Sequence, residues 1–583
     1  MAENSNMMAE YAGDSSSLSR FLASRDYLLR SLSGQNEVVE EFEWPIMTEF
    51  NWAIDYFDGM ATDNDAPAIW IVNEGGGEYK ASFKQLSQRS NQVANFLSSQ
   101  GISRGDRLLL VLGNEIALWE TMLAAMKLGA IIIPATTLLT ADDLEDRISR
   151  GGVQVIIAAV DLVSRLEGSA DNCIRVVVGG DASGWVNYDA AKAESTEFVP
   201  DAPTKASDPL LLYFTSGTTS RPKLVLHTHE SYPVGHLSTM YWIGLRPGDV
   251  HLNIASPGWA KHAWSSFFAP WNAGACILIH NNARFDPAAL LSVVERCGAT
   301  SLCAPSTAWR RLIQEDLAAW RERISLRELI GAGEPLNPEI INQIQAAWGL
   351  TVRDGYGQTE TSAQIGNSPT LPLKPGSMGR PLPGYAIALL DPDGIEAAEG
   401  EICIDLRHRP TGLMVGYIDS LDATAEAMRG GYYHTGDTAF RDDDGYYTFI
   451  GRADDVFKSS DYRISPFELE SILIEHPLVA EAAIVPKPDA IRLAVPKAYL
   501  TVTADAEIGR ELAEDIFTFA RSRTAPYKRI RSIEFVTELP KTISGKIRRV
   551  ELRIEESRRS AAEQRGANEY LESEFASFQI THN

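Results

Sequence analysis

The chain has 583 residues, too many for one hydrophobic core, so two or more domains are expected. With 44% hydrophobic and 22% charged residues it has the composition of a globular protein, and a net charge of −25 argues against nucleic acid or an anionic membrane as the main partner. The five cysteines form no C-x-x-C pair and no zinc spacing, no apolar run reaches membrane-spanning length, and residues 1–19 lack the apolar core of a signal peptide; a reduced, cytoplasmic protein is expected.

Residues 1–40 read as an N-terminal extension, a polar tail followed by a short helix near Leu18–Leu32. From Ala68 the pattern alternates. Strand-like 68–72 is followed by a helix over Phe83–Gln100 that stops at Gly101. A buried strand begins at Arg107, a helix runs from Glu115 to Leu128 and stops at Gly129, and further strands begin at Ala130, Val153 and Ile174 around a helix over Ala141–Arg150. Continuously apolar strands separated by helices predict an α/β protein of stacked layers, its sheets largely parallel and covered on both faces.

The stretch Tyr213-Phe-Thr-Ser-Gly-Thr-Thr-Ser-Arg-Pro-Lys223 comes next. The hydroxyls of Thr215, Ser216, Thr218, Thr219 and Ser220 surround Gly217, and Lys223 adds a cation. Small hydroxyl residues beside glycine let backbone N–H and side-chain O–H groups converge on phosphate oxygens, although a polar interdomain connection has the same composition. After a polar-aromatic segment, Ser256 to Trp264, a second α/β series follows; from about Lys374 glycines and prolines punctuate short strands, predicting a small β-rich subdomain over about 374–450. Beyond Gly451-Arg-Ala-Asp-Asp455 a compact α+β block extends to about residue 555, ending in a charged helical tail expected to be mobile. The expected division is 1–40, 41–453 and 454–583. His227 and His229 form an H-x-H pair with no further ligand near in sequence and read as structural.

Seven stretches, in order, resemble the signatures of the adenylate-forming superfamily of acyl-CoA synthetases, adenylation domains and luciferases, and within it the medium-chain acyl-CoA synthetase branch: Thr215–Lys223, Gly331-Ala-Gly-Glu-Pro335, Gly355-Tyr-Gly-Gln-Thr-Glu360, Tyr433-His-Thr-Gly-Asp437, Gly451–Asp455, Lys458-Ser-Ser-Asp-Tyr-Arg-Ile464 and Pro540-Lys-Thr-Ile-Ser-Gly-Lys546-Ile-Arg-Arg549. The resemblance covers about residues 45–555. It implies that a carboxylic acid and ATP form an acyl-adenylate with Mg²⁺, that a small C-terminal domain then rotates, and that a thiol, usually CoA, takes the acyl group. It implies a site residue by residue. Thr215, Ser216, Gly217, Thr218, Thr219 and Lys223 hold phosphates. Gly333, Glu334, Pro335, Asp354, Gly355, Tyr356, Gly357, Gln358 and Phe449 surround the nucleoside, with Tyr356 stacked on adenine. Thr359 contacts the α-phosphate and Glu360 ligates Mg²⁺. Asp437 accepts the ribose hydroxyls beside Arg452, Asp454 is the hinge, and Lys546 bridges carboxylate and α-phosphate. Trp259 stands between acyl pocket and nucleotide, with Ala332, Gly333 and Ile365 nearby. Ser459, Ser460, Arg463 and Tyr527 form the thiol-acceptor side after rotation.

Four positions depart from the family pattern: Ser220, Asp461, Ser465 and Leu493 stand where glycine is usual. Ser220 bears on adenylation and Asp461 on the thiol step, so a member that performs only thioesterification on a ready-made acyl-AMP stays open. So does a carrier-protein-loading enzyme, although no carrier domain is appended. The expectation is an ATP-dependent acid–thiol ligase acting on a medium-sized aliphatic, branched or aryl acid with CoA, with no nucleic-acid or membrane partner and with homo-oligomerisation left open.

Overall fold

In the computed structural model, residues 16–32, 41–215, 222–333, 336, 338–459, 462–489, 492–542 and 546–578 are described. Two large sheets dominate. The first has eight strands, in the order Gly416–Tyr417, Lys223–Thr228, Pro209–Thr215, Ile131–Ala135, Arg107–Val111, Val155–Ala159, Ile174–Val178 and Val186–Asn187. It is parallel from Pro209–Thr215 to its far edge, and Lys223–Thr228 returns antiparallel. The second has nine strands, with Ala363–Gly366, Val352–Gly357, Glu328–Gly331, Ser301–Ala304, Val250–Asn253, Cys276–Asn281 and Pro67–Asn73 in its middle.

Strand alternation explains the layering. Leu108 and Leu110 point into one apolar cluster, shared with Ile69, Ile71, Ile277 and Ile279 of the second sheet; Leu109 and Val111 point into another, under helix Ala141–Gly151. Helix Ser231–Ile243 is buried on every side and lies in the shared cluster. Gly129, at φ +72°, ends helix Ile116–Leu128 in the left-handed turn that its position in the sequence predicts.

The β-rich texture after residue 374 is a four-stranded antiparallel sheet: Ile387–Leu390, Glu399–Asp405, Tyr432–Arg441 and Tyr447–Arg452. Past it lie a two-stranded ribbon, Phe457–Ser459 with Tyr462–Ile464, and a four-stranded sheet of Val479–Asp489, Leu493–Val502, Ser532–Phe535 and Glu569–Leu571 with helices Pro466–Ile474, Arg510–Arg523 and Arg549–Ala561. The fold is therefore the α/β layered architecture with a smaller α+β C-terminal unit.

Two expectations about the ends need revision. Helix Ser17–Ser31 is no appendage: Phe21 and Leu28 are fully buried in the main core, Phe21 edge-on to Tyr56. The C-terminal tail is not a solvated mobile helix either. Glu556 of helix Arg549–Ala561 meets Lys497 at 2.6 Å, and Lys497 also meets Glu534 at 2.8 Å and Glu569 at 3.1 Å, all four buried. Charges that read as a solvated face are paired inside the sheet–helix interface, where a lone charge would be strongly destabilising.

Leu493 shows why glycine is usual at its position. It opens its strand at φ +68° with a side chain 71% exposed. A left-handed leucine costs about 1–2 kcal/mol, and this side chain recovers little by burial. Leu493→Gly is expected to stabilise the C-terminal unit by roughly 0.5–1 kcal/mol after the extra backbone entropy of glycine is counted; denaturant unfolding of the full chain is the check. Ser465, by contrast, is put to use. Its hydroxyl caps helix Pro466–Ile474 by accepting from the Glu468 N–H at 3.1 Å, and it donates to the Ile450 carbonyl across the 451–455 segment.

Candidate active site

Loops at the carboxyl ends of the parallel strands of the second sheet, the turns of the β-rich sheet, Thr542 and residues 546–549 enclose one cavity of about 1530 Å³. That exceeds the several hundred Å³ of a single small-ligand pocket and leaves room for two reactants side by side.

On one wall lies Gly355-Tyr-Gly-Gln-Thr-Glu360, entered from strand Val352–Gly357. The Tyr356 hydroxyl donates to Asp437 Oδ2 at 2.5 Å, and Gln358 Nε2 donates to the same oxygen at 2.6 Å. Arg452 stands 3.3 Å from Oδ1. Gln358 is itself held, receiving the Tyr433 hydroxyl at 2.9 Å and donating to the Thr435 carbonyl at 2.9 Å. Burial pushes the Asp437 carboxyl up, opposed by Arg452, Tyr356, Gln358 and the ammonium of Lys546. Lys546, on a turn closed by Thr542 N–H to Lys546 carbonyl at 2.8 Å, thus faces the same space from the C-terminal unit.

Asp437 keeps its place because Gly436, at φ +73°, makes the turn before it, and Glu401 receives the Gly436 N–H at 2.8 Å. Glu401, Cys403 and His434 lie within metal-ligand distance of one another, but they bond to each other and to Arg429, which accounts for their proximity without an ion.

Glu360 is half-buried, and desolvation raises its pKa against the pull of Tyr417, Lys223 and Arg452. The Tyr417 hydroxyl donates to Oε1 at 3.0 Å, and Lys223 Nζ lies over the Tyr417 ring at 4.5 Å. Tyr417 therefore joins the lysine of the phosphate-loop motif to the candidate metal ligand; nothing in its local sequence marks it, and only the pairing of Gly416–Tyr417 with Lys223–Thr228 brings it there. A half-buried carboxylate lining the cavity is the hard oxygen donor that suits Mg²⁺. His227 and His229 are buried, with pKa values lowered to about 3 by desolvation. His227 Nε2 lies 2.8 Å from the Thr359 carbonyl and so positions Thr359, a role that the H-x-H spacing does not reveal.

Asp354 has its carboxyl raised to about 7 by burial, against the N–H groups of Leu336 and Gly355. The folded state holds this proton where the unfolded chain has lost it, so the group's contribution to stability falls as pH rises from about 4 to 7. Asp354→Asn is expected to remove this slope, narrowing the stability loss between pH 5 and 8 by up to about 2–3 kcal/mol; thermal unfolding at the two pH values checks it.

Trp259, half-buried, lines the cavity as the N-cap of the short helix Ala260–Ala263. Ala332 and Gly333 line it too. Ile365 does not: it is fully buried in the cluster under the β-rich sheet, beside Leu389 and Ile402, because alternation turns it away from the cavity. Thr215, Lys223, Asp354, Gly355, Tyr356, Gly357, Gln358, Thr359, Glu360, Asp437, Phe449, Arg452 and Lys546 all border the cavity. Ser459 and Tyr527 do not. Ser459 is buried in the ribbon, and Tyr527 stacks on Tyr462 at 4.2 Å, both rings exposed. Ser216, Gly217, Thr218, Thr219, Ser220, Glu334, Pro335, Ser460, Asp461 and the side chain of Arg463 lie outside the described residues.

The family model for AMP-binding enzymes matches residues 58–418, and that for the AMP-binding enzyme C-terminal domain matches 468–546. The chain is 43% identical over 537 residues to 4-hydroxybutyrate–CoA ligase 1 of Metallosphaera sedula, covering 90% of this chain and 94% of the relative. It is 37% identical over 546 residues to the mitochondrial acyl-coenzyme A synthetase ACSM3 of Homo sapiens, covering 90% and 93%. Among solved structures it is similar to the anthranilate CoA ligase AuaEII in complex with anthranoyl-AMP (TM-score 0.79, 28% identity, 88% of this chain and 99% of that one). It is also similar to an acyl-CoA synthetase from Brucella canis (TM-score 0.69, 34% identity, 90% and 99%).

Proposed function

Because the chain belongs to the adenylate-forming family of AMP-binding enzymes, in its acyl-CoA synthetase branch, and is an acid–thiol ligase, we propose that it joins a medium-sized aliphatic, branched or aryl carboxylic acid to CoA in two steps at this cavity. The observation that carries the reading is that one space is bordered at once by the Asp437–Arg452 pair, by Thr359 and Glu360, by Trp259 and by Lys546. A nucleotide, an acid and a cation between them need those groups together.

In the first step the acid's carboxylate attacks the α-phosphorus of ATP and pyrophosphate leaves. Two anions must meet, so the residues that matter are those that hold positive charge at the reacting oxygens. Lys546 takes the position between carboxylate and α-phosphate, Lys223 that beside the leaving pyrophosphate. Tyr356 and Gln358 keep Asp437 oriented for the ribose, and Arg452 opposes the upward push of burial on its carboxyl. Glu360 would hold Mg²⁺, which would supply charge neutralisation on the phosphates. In the second step the thiol sulfur of CoA attacks the acyl carbon and AMP leaves. Ser459 and Tyr527 lie off the cavity in the present arrangement, which supports their use after the 454–583 unit has turned about Asp454. Substrates named for relatives and neighbours, 4-hydroxybutyrate and anthranilate, fit a medium-sized acid.

The test is a panel of acids with ATP, Mg²⁺ and CoA, followed by pyrophosphate release and by mass spectrometry of acyl-CoA. Turnover of medium-sized acids is expected. Thioester formation from synthetic acyl-AMP with no pyrophosphate from any acid would replace this reading with the thioesterification-only one that Ser220 keeps open.

A further inference from the structure

The backbone on both sides of Lys223 is held by one ion pair that no sequence motif marks. Arg150, in the last turn of helix Ala141–Gly151, donates from Nη2 to the Pro222 carbonyl at 2.6 Å and to Asp419 Oδ2 at 2.5 Å. Asp419 Oδ1 in turn accepts the Leu224 N–H at 3.3 Å. The peptide groups before and after the Lys223 Cα are thus each bonded to one member of the pair. Charge-assisted bonds of this kind are shorter and stronger than neutral ones. Side chains 20% and 28% exposed keep the pair out of most of the solvent. Asp146 accepts from Arg150 Nη1 at 3.1 Å and so helps to aim the guanidinium.

The grip extends across the hairpin. Phe214, which pairs in register with Leu224, has the guanidinium of Arg147 over its ring at 4.5 Å and that of Arg150 at 5.5 Å. Asp419 follows Tyr417 by two residues, on a segment that runs along Leu224–Leu226: the Val415 and Ile418 N–H groups donate to the Leu226 and Leu224 carbonyls at 2.9 and 3.0 Å. One short segment therefore brings the Tyr417 ring to Lys223 Nζ, the Tyr417 hydroxyl to Glu360 and the Asp419 carboxylate to the Leu224 N–H. The contact of an ammonium with a ring is soft and weakly directional, so where the lysine reaches depends on where its backbone is held.

We infer that Arg150 is a positioning residue for the first half-reaction: together with Asp419 it fixes the backbone of Lys223 so that the ammonium meets the leaving pyrophosphate. This rests on the reading of Lys223 as a pyrophosphate contact and deepens it. In that step a carboxylate oxygen of the acid bonds to the α-phosphorus while the bond from that phosphorus to the pyrophosphate oxygen breaks. A cation displaced by about 1 Å stabilises the departing oxygens poorly, and misplacement of that size can cost about a hundredfold in rate. The second step releases AMP and involves no pyrophosphate, so it makes no demand on the pair.

The full-length protein is assayed, with an acid that it turns over, in three reactions: pyrophosphate release from ATP, ATP formation from acyl-AMP and added pyrophosphate, and thioester formation from acyl-AMP and CoA. Arg150→Gln is expected to raise the KM for ATP and for pyrophosphate and to lower kcat/KM for both at least about tenfold. The KM for the acid and the rate of thioester formation are expected to stay within about twofold of wild type. Asp419→Asn, which keeps an acceptor for the Leu224 N–H, is expected to show the same pattern more weakly. The double variant is expected to lose little more than Arg150→Gln alone, since both changes remove one shared interaction. Asp419→Asn carries the test by itself if Arg150→Gln does not accumulate as folded protein. An equal fall in all three reactions, an unchanged KM for pyrophosphate, or fully additive losses in the double variant overturns the proposal; the pair then only ties the helix to the sheet. Wild-type pyrophosphate release that neither variant alters overturns it alone. Pyrophosphate release from no acid by the wild type overturns it together with the adenylating reading.

Discussion

Lys546→Ala is expected to lower pyrophosphate release by on the order of 10²–10³ while leaving thioester formation from supplied acyl-AMP and CoA within a few fold of wild type. Lys546 reaches the cavity from the C-terminal unit and lies near enough to Asp437 to hold down its pKa. A charge so placed acts on the carboxylate–phosphate encounter, where two anions have to meet. It has no comparable task once the acyl group is already activated, because the thiol then attacks the acyl carbon and no carboxylate has to approach a triphosphate. The two half-reactions run separately on the same preparation provide the check. Equal loss in both would mean that Lys546 supports the fold or the nucleotide rather than the first step.

Gly258→Ala is expected to be severely damaging although it adds a single methyl group. Gly258 has φ +89°, and a Cβ there would lie 2.3 Å from the backbone nitrogen of Thr136 and 2.5 Å from the carbonyl carbon of Ala135. Neither atom can yield as a side chain would, because Ile131–Ala135 is a central strand of the eight-stranded sheet. The substitution combines a left-handed backbone with a backbone clash, so the 254–259 loop must shift and carry Trp259 with it. A loss of at least about 3 kcal/mol in stability, or failure to accumulate folded protein, is expected. Thermal unfolding and acid activation by any surviving protein provide the measure. A variant with wild-type stability and acid selectivity would show that the two sheets do not meet at this glycine as tightly as their backbones indicate.

Much of the architecture was legible in the chain because strand and helix periods are local. Apolar runs at 107–112, 130–134 and 153–158 became strands of one sheet, and the glycines at 101 and 129 ended helices as read. The site roster was legible for a different reason. Seven short motifs in order name residues far apart in sequence, and described residues from six of them border the cavity, whereas Lys458, Ser459, Tyr462 and Ile464 of the ribbon motif do not. Pattern alone failed where packing decides. The tail after residue 549 has the composition of a solvated helix, yet Glu556 is buried against Lys497 because the sheet supplies its counter-charge. Ile365 sits between cavity-lining segments in sequence but turns to the opposite face. Tyr417 carries no motif and reaches Glu360 only through an edge-strand pairing.

By itself, then, the sequence determined the family, the layered α/β class, the two-step chemistry to look for and the residues to ask about, since periodicity and ordered motifs are properties of the chain alone. The tertiary structure decided which of those residues share a space, that Gly258 admits no side chain, that Leu493 strains its turn while Ser465 has found a bond, and that Arg150 and Asp419 hold the chain on both sides of Lys223. These are matters of distance and of hydrogen-bond accounting between segments remote in the chain, and no local pattern encodes whether a buried polar atom will find its partner.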